Sequence, residues 1–117
     1  MGRSRRQIPE RLPKKLFYIR LDLALTQQQM VERLKFELDK AGIDVPPLFS
    51  GHISEYERGD REPPLAVLLQ YARLGRMPLE VLVDDGMSLP GHYNTYIYTD
   101  TKTLKERKMM AKKKPRS

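Results

Sequence analysis

Few residues of this chain have types and spacing suited to covalent chemistry. The chain has no cysteine, which excludes disulfides and thiolate metal sites, and its two histidines, His52 and His92, lie far apart in sequence. The stretch Ser50-Gly51-His52 is not a catalytic constellation, and the sequence has no glycine-rich phosphate loop or metal-spaced cluster. We therefore expect a protein that is not an enzyme and that needs no metal or cofactor.

Charge is the strongest chemical signal, and it is concentrated at the two ends of the chain, whose net charge is +7. Residues 1–20 hold seven Lys/Arg and one acid, residues 100–117 hold eight and two, and residues 21–99 hold seven and twelve. Each end is therefore +6 and the middle −5. Like-charged ends are commonly solubilising or disordered tails. The alternative is that they neutralise the phosphates of a polyanion.

Length and hydropathy favour one small domain with tails. A single core usually serves about 100 to 200 residues, and this chain has 117. Its longest apolar runs, such as Leu65 to Leu69, are far shorter than the roughly 20 residues that span a bilayer. No secretory signal is evident. We expect a cytoplasmic location and no membrane contact.

Apolar residues at helical spacing predict five helices. These begin near Arg11, Thr26, Ser50, Pro64 and Pro78, and the first four end near Leu25, Lys40, Gly59 and Gly75. Thr26 and Gln29 have the spacing of a capping box, and Gly42 can close the second helix in the left-handed conformation. The expected core residues lie on one face of each helix: Leu12, Leu16, Phe17, Ile19, Leu21, Leu23, Met30, Leu34, Leu38, Ala41, Ile53, Tyr56, Leu65, Leu68, Leu69, Ala72, Leu74, Leu79, Leu82 and Val83.

Two segments depart from this pattern. Between Leu34 and Ser50, extra turns on the second helix and a Pro-Pro loop are expected, either extending the core with Phe36, Leu38, Val45 and Leu48 or adding phosphate contacts through Lys35 and Lys40. Residues 91–101, GHYNTYIYTDT, have the composition of a short strand able to pair with another chain, or of a loosely ordered segment.

Two stretches carry a resemblance to a known family. They are IRLDLALTQQQMVERL at 19–34 and HISEYERGDREPPLAVLLQYARLGRMPLEVLVDD at 52–85. They resemble the phage repressor and Cro type of helix-turn-helix, called XRE-like, in the Leu-Thr-Gln entry to the second helix, the Ile-x-x-x-Glu-x-Gly of the third and the prolines before the fourth and fifth. The resemblance covers about 65 of the 117 residues.

The resemblance implies an all-α fold, a five-helix lambda-repressor-like DNA-binding domain with an insertion between helices 2 and 3. The domain would span 11–86, after a basic N-terminal arm at 1–10 and before a C-terminal extension with a basic tail at 87–117, both arms being partly disordered. Helix three, at about 50–58, would lie in the major groove of double-stranded DNA. Glu57 at the end of that helix would form a structural ion pair with Arg20.

The implied DNA contacts fall into three groups. Gln27 and Gln28 at the start of helix two would contact phosphates and base edges, and the arm would place arginines in the minor groove. The outer side of helix three and the residues after it would contact bases and phosphates. The full set is Gln27, Gln28, Ser50, Gly51, His52, Ser54, Glu55, Arg58, Arg61, Arg3, Arg5 and Arg6.

The function that follows is sequence-specific regulation of transcription by a nucleoid-associated homodimer, since one short helix reads too few base pairs alone. The alternative is an antitoxin-like or other interaction module whose residues 87–117 bind a partner protein. Aromatic residues anchor interfaces, and Tyr93, Tyr96, Ile97 and Tyr98 favour this alternative. RNA binding through the tails alone is a third hypothesis.

Overall fold

The computed structural model describes residues 8–44 and 47–96. These residues form five α-helices, α1 Leu12–Asp22, α2 Gln27–Lys40, α3 Ser50–Arg58, α4 Leu65–Leu74 and α5 Leu79–Val83, followed by a short 3-10 helix, Gly91–Tyr93. No strand occurs in this part of the chain, so the described fold is all-α. Several predicted features lie outside the described residues: Arg3, Arg5, Arg6, Val45, Ile97, Tyr98 and the basic tail.

Local sequence determines where α1 ends and where α2 begins and ends. The capping box at α2 is confirmed, because Thr26 Oγ1 accepts the Gln29 N–H at 3.1 Å while Gln29 Oε1 accepts the Thr26 N–H at 2.9 Å. The second helix runs to Lys40 as expected, and Gly42 follows with a φ of +71°. The first helix ends earlier than expected, at Asp22, because Ala24 takes a φ of +59° and interrupts the helix.

The end of α3 depends on a glycine. Gly59 has a φ of +82°, a left-handed conformation that strains residues with a Cβ atom. A Cβ atom placed on Gly59 would also lie 3.2 Å from Cγ of Pro13, so the turn after α3 presses against the first turn of α1. Conformation and space together therefore favour glycine at this position.

The helices enclose one apolar core. The first helix packs against α3, α4 and α5, the second against α3 and α4, and α4 also packs against α5. Leu16, Ile19, Met30, Leu34 and Ile53 are completely buried. Among the described residues, no helix combines the length and apolar composition that a bilayer crossing requires.

Four residues expected in the core are exposed: Leu21, Phe36, Ala41 and Leu65. Phe36 is 59% exposed and Leu65 is 68% exposed. Phe36 lies two residues from both Leu34 and Leu38, which are buried, and this spacing places its side chain on the opposite side of α2. Leu65 is the first residue of α4, and its side chain projects beyond the edge of the core. The prediction was wrong for all four residues.

The segment after α5 is helical where a strand or a loose segment was expected. Residues 91–93 form the 3-10 helix, and helical backbone continues through Tyr96. Leu89 and Tyr93 are buried in the same core as the five helices. The aromatic and β-branched composition therefore does not produce a strand in the described part of this segment, because Tyr93 is buried against the helices instead.

Candidate functional site

Most of the predicted site residues that the structure describes lie on the outer side of α3 or just after it. Ile53 and Tyr56 are turned into the core, with exposures of 0% and 3%, and this rotation directs the opposite side of the helix outward. We call the outward residues, together with Arg61 just after the helix, the α3 surface: Ser50, Gly51, Ser54, Glu55, Arg58 and Arg61.

An ion pair attaches α3 to α1. Arg20 donates to Glu57 twice, from Nε to Oε2 at 2.6 Å and from Nη2 to Oε1 at 2.9 Å. Its third contact is the carbonyl of Leu25 at 3.0 Å. The two side chains are only 13% and 8% exposed, and the hydrogen bond to Glu57 raises the pKa of Arg20. A bidentate, mostly buried pair of this kind fixes orientation as well as distance.

The two glutamines at the start of α2 have different surroundings. Gln27 is half-buried, and its Nε2 donates to Glu57 Oε1 at 3.2 Å, so it belongs to the Arg20–Glu57 network. Gln28 is exposed and donates to Glu32 Oε2 at 3.4 Å on the next turn. Of the two, Gln28 is the more accessible to an external ligand.

His52 caps α3. Its Nδ1 accepts the backbone N–H of Phe49 at 3.0 Å, so Nε2 carries the proton of the neutral ring. The ring is half-buried and stacks between Phe49 and Tyr56, with centroid separations of 5.6 Å and 6.5 Å. One nitrogen is therefore occupied by the helix itself, and only Nε2–H is left to donate outward.

The charged groups of the α3 surface are paired with one another or with a neighbour. Glu55 Oε1 lies 2.5 Å from Arg61 Nε, and Arg58 Nε donates to Asp60 Oδ2 at 2.9 Å. Arg58 also donates to the hydroxyl of Ser54. The two arginines are 58% and 54% exposed, so these are surface pairs that contribute little to stability. An approaching anion could exchange with either carboxylate at small cost.

The sequence did not indicate a second polar cluster, where α1 meets the end of α5. The side chain of Lys15 is 5% exposed, and its Nζ donates to the carbonyls of Val81 at 2.6 Å and Asp84 at 3.1 Å. Burial lowers the pKa of Lys15, while the nearby carboxylate of Asp85 opposes that shift. This cluster is structural, since it closes helix ends rather than facing solvent.

The described residues offer no metal site, and the comparisons with known proteins find no relative. Within residues 8–44 and 47–96, no three His, Asp or Glu side chains are grouped closely enough to hold a metal ion. No protein-family model matches the chain, and searches of the curated proteins and of the solved structures find no match either. The functional inference therefore depends on the geometry of the chain itself.

Proposed function

We propose that this protein is a sequence-specific DNA-binding regulator of transcription, with α3 in the major groove of double-stranded DNA. The supporting observation is an outward-facing α3 surface, of which Gly51, Arg58 and Arg61 are exposed and the rest half-buried, on a helix whose orientation is fixed by the Arg20–Glu57 ion pair. In this proposal the five helices form a lambda-repressor-like domain, α2 crosses the phosphate backbone, and the protein is neither an enzyme nor dependent on a cofactor. A homodimer on a two-fold site would supply the specificity that one short helix lacks.

The first turn of α3 has the small residues that close approach to base edges requires. Ser50 and Gly51 are its first two residues, and a Cβ atom placed on Gly51 would have no neighbour within 4 Å. The space in front of this turn is open, and the major groove is wide enough to admit a helix. Ser50 can donate to or accept from a base, which gives the turn a means of direct contact.

Attraction to DNA would come mainly from the chain ends. Residues 21–99 carry a net charge of −5, and the charges on the α3 surface pair with neighbouring groups. The basic arms, with Arg3, Arg5 and Arg6 at the N-terminal end, would supply the positive charge that phosphates attract. In this arrangement the arms bind the phosphates of the duplex and α3 contacts the bases. Arg58 and Arg61 leave their carboxylate partners and bind phosphates instead.

The alternative, an interaction module that binds a partner protein through residues 87–117, has less support. Tyr93 is 1% exposed, and the hydroxyl of Tyr96 donates to Asp22 Oδ1 at 3.0 Å. These two aromatic residues are therefore used within the chain, whereas an interface anchor needs to be available to a partner.

The test of DNA binding is selection of bound sequences from random duplexes with the full chain, followed by gel-shift titration of the selected site. We expect one preferred sequence with two-fold symmetry. A Gly51→Leu variant should lose at least about ten-fold in affinity, because the added side chain stands in the open space that the groove edge would occupy.

A matched control is available in Gly91→Leu. Gly91 also has no neighbour within 4 Å of an added Cβ atom, but it lies after α5 rather than on α3. We expect this variant to bind DNA like the wild type. No preferred sequence at any salt concentration, or equal binding by the Gly51→Leu variant and the wild type, would overturn the proposal.

A further inference from the structure

A basic cavity lies at the end of the bundle where α1 and α4 terminate. Its volume is about 450 Å³, within the usual range for small-molecule sites. Besides two leucines, the residues that line it are Asp22, Arg33, Arg73, Gly75, Arg76 and His92. No residue of α3 lines this cavity, so it is separate from the α3 surface.

Positive charge dominates the cavity lining. Three arginines line it against one carboxylate, that of Asp22. The Asp22 carboxylate already accepts the Tyr96 hydroxyl at 3.0 Å and lies 3.6 Å from His92 Nε2. Three fixed positive charges with one occupied carboxylate leave the cavity suited to an anion.

The arginines differ in how far the protein itself satisfies them. Arg33 Nε donates to Glu37 Oε2 at 3.1 Å, yet its side chain is still 46% exposed. The guanidinium groups of Arg73 and Arg76 have no hydrogen-bond or ion-pair partner among the residues that the structure describes. Two planar groups of donors at one cavity are therefore available to a ligand.

The backbone at Arg76 is unusual for an arginine. Its φ is +60°, in the left-handed region that strains a residue with a Cβ atom and that usually holds glycine at a helix end. Glycine is present one residue earlier instead, where a Cβ atom on Gly75 would lie 3.3 Å from the Tyr71 carbonyl and from the Tyr93 hydroxyl. Arg76 therefore holds a position that glycine usually takes.

Helix polarity alone does not explain this cluster. Cations near a helix C-terminus are favourable, which accounts for Arg73 in the last turn of α4. It does not account for Arg33, which lies near the middle of α2, or for an arginine in the left-handed conformation at position 76. Convergence of the three on one cavity points to a ligand.

We propose that this cavity binds a small molecule bearing phosphate, with Arg33, Arg73 and Arg76 holding the phosphate. Guanidinium groups match phosphate oxygens in a bidentate fork, and several of them together favour a group with more than one negative charge. The cavity volume leaves room for the body of the ligand beside the three arginines. The proposal does not depend on DNA binding.

The experiment uses ADP and inorganic pyrophosphate as probes, titrated into the isotopically labelled full chain and followed by NMR. We expect saturable binding of ADP below about 1 mM, with the largest shifts at the amides and side-chain Nε groups of Arg33, Arg73 and Arg76. Arg73→Gln should weaken binding at least ten-fold. Arg76→Gly should do the same while keeping or raising the unfolding midpoint, because glycine relieves the left-handed strain.

The matched control is Lys35→Gln, which removes one positive charge from α2 at an exposed position that does not line the cavity. This variant should bind ADP like the wild type. Failure to saturate by about 10 mM, or equal weakening by Lys35→Gln and Arg73→Gln, would overturn the proposal. If ADP binds more tightly than pyrophosphate, the cavity also contacts the part of the ligand that carries the phosphate. Equal affinities for the two probes would overturn that part of the proposal and leave only a phosphate site.

Discussion

The carboxylate of Asp85 accepts the backbone N–H of Arg11 at 2.9 Å and so caps the start of α1 from the far end of the domain. Its other oxygen accepts the N–H of Glu10 at 2.9 Å. In return, Lys15 on α1 donates to the carbonyl of Val81 on α5. The N–H groups at the start of α1 thus donate to Asp85, which follows α5, while Lys15 of α1 donates to a backbone carbonyl of α5. Each of the two elements satisfies polar groups of the other.

This relationship predicts a pH dependence of stability. The hydrogen bonds from Arg11 and Glu10 hold the pKa of Asp85 below its ordinary value of 3.8. Because the folded state favours the ionised form, the stabilisation is present above pH 3.8 and is lost as pH falls through the folded-state pKa. We expect the urea midpoint to drop less between about pH 5 and pH 2 in Asp85→Asn than in the wild type. An equal drop in both proteins would contradict the assignment.

The Arg20–Glu57 pair should be costly to break from one side. Glu57→Ala leaves a mostly buried guanidinium without its carboxylate, and we expect a loss of about 3 kcal/mol in the free energy of unfolding. The double variant Arg20→Met/Glu57→Leu removes both charges and should recover most of that loss. Urea denaturation of Arg20→Met, Glu57→Leu and the double variant measures the coupling between the two residues.

A surface pair provides the control for this experiment. Asp60→Ala removes the partner of Arg58, and both side chains are 58% exposed. The expected loss is below about 1 kcal/mol. If Glu57→Ala cost no more than Asp60→Ala, Glu57 would not hold α3 against α1.

The hydroxyl of Tyr71 provides a third test. Tyr71 is fully buried, and its Oη has no hydrogen-bond partner among the described residues. Burial is also the main reason that its pKa is raised. An unpaired buried hydroxyl costs about 1–3 kcal/mol, so Tyr71→Phe should raise the free energy of unfolding by about 1 kcal/mol. Chemical denaturation of this variant checks the sign, and destabilisation would show that a bound water satisfies the hydroxyl.

If the protein binds DNA as proposed, removing the carboxylate of Glu55 that pairs with Arg61 should strengthen that binding. Glu55→Gln removes a negative charge from the α3 surface and leaves Arg61 available to a phosphate. We expect tighter binding to the selected site, by about three-fold or more, and a salt slope steeper by about one. Glu80→Gln makes the same change of charge at an exposed position on α5, away from α2 and α3, and should leave both quantities unchanged. Weaker binding by Glu55→Gln would instead identify Glu55 as a base contact.

Deleting residues 1–8 tests the role of the N-terminal arm. The deletion removes Arg3, Arg5 and Arg6, so if each neutralises one phosphate, the slope of log affinity against log salt should flatten by about three. Gel-shift titrations at several salt concentrations measure that slope. An unchanged slope would exclude the arm from phosphate contact.

Much of the helical framework could be predicted because it depends on local signals. The capping box at Thr26 and the left-handed turn at Gly42 need only the neighbouring residues, and both are present as expected. The Arg20–Glu57 pair, expected from the resemblance, is also formed. By contrast, Phe36 was assigned to the core although its spacing from Leu34 places it on the outer side of α2.

The features that could not be predicted are those that bring distant residues together. Lys15 resembles any surface lysine in sequence, and only the position of α5 shows that its ammonium group is buried against backbone carbonyls. Arg33 and Arg76 are separated by 42 positions, and nothing in their local sequence indicates that they line one cavity. Tyr93 has neighbours typical of a strand, but burial against the helical core decides its conformation.

The closeness of Gly59 to Pro13 has a consequence for the mobility of α3. Because the turn after α3 is pressed against α1 and Glu57 is held by Arg20, rolling α3 about its axis would require both contacts to separate together. The helix therefore enters an encounter with its shape already set, and little ordering entropy is lost there on complex formation.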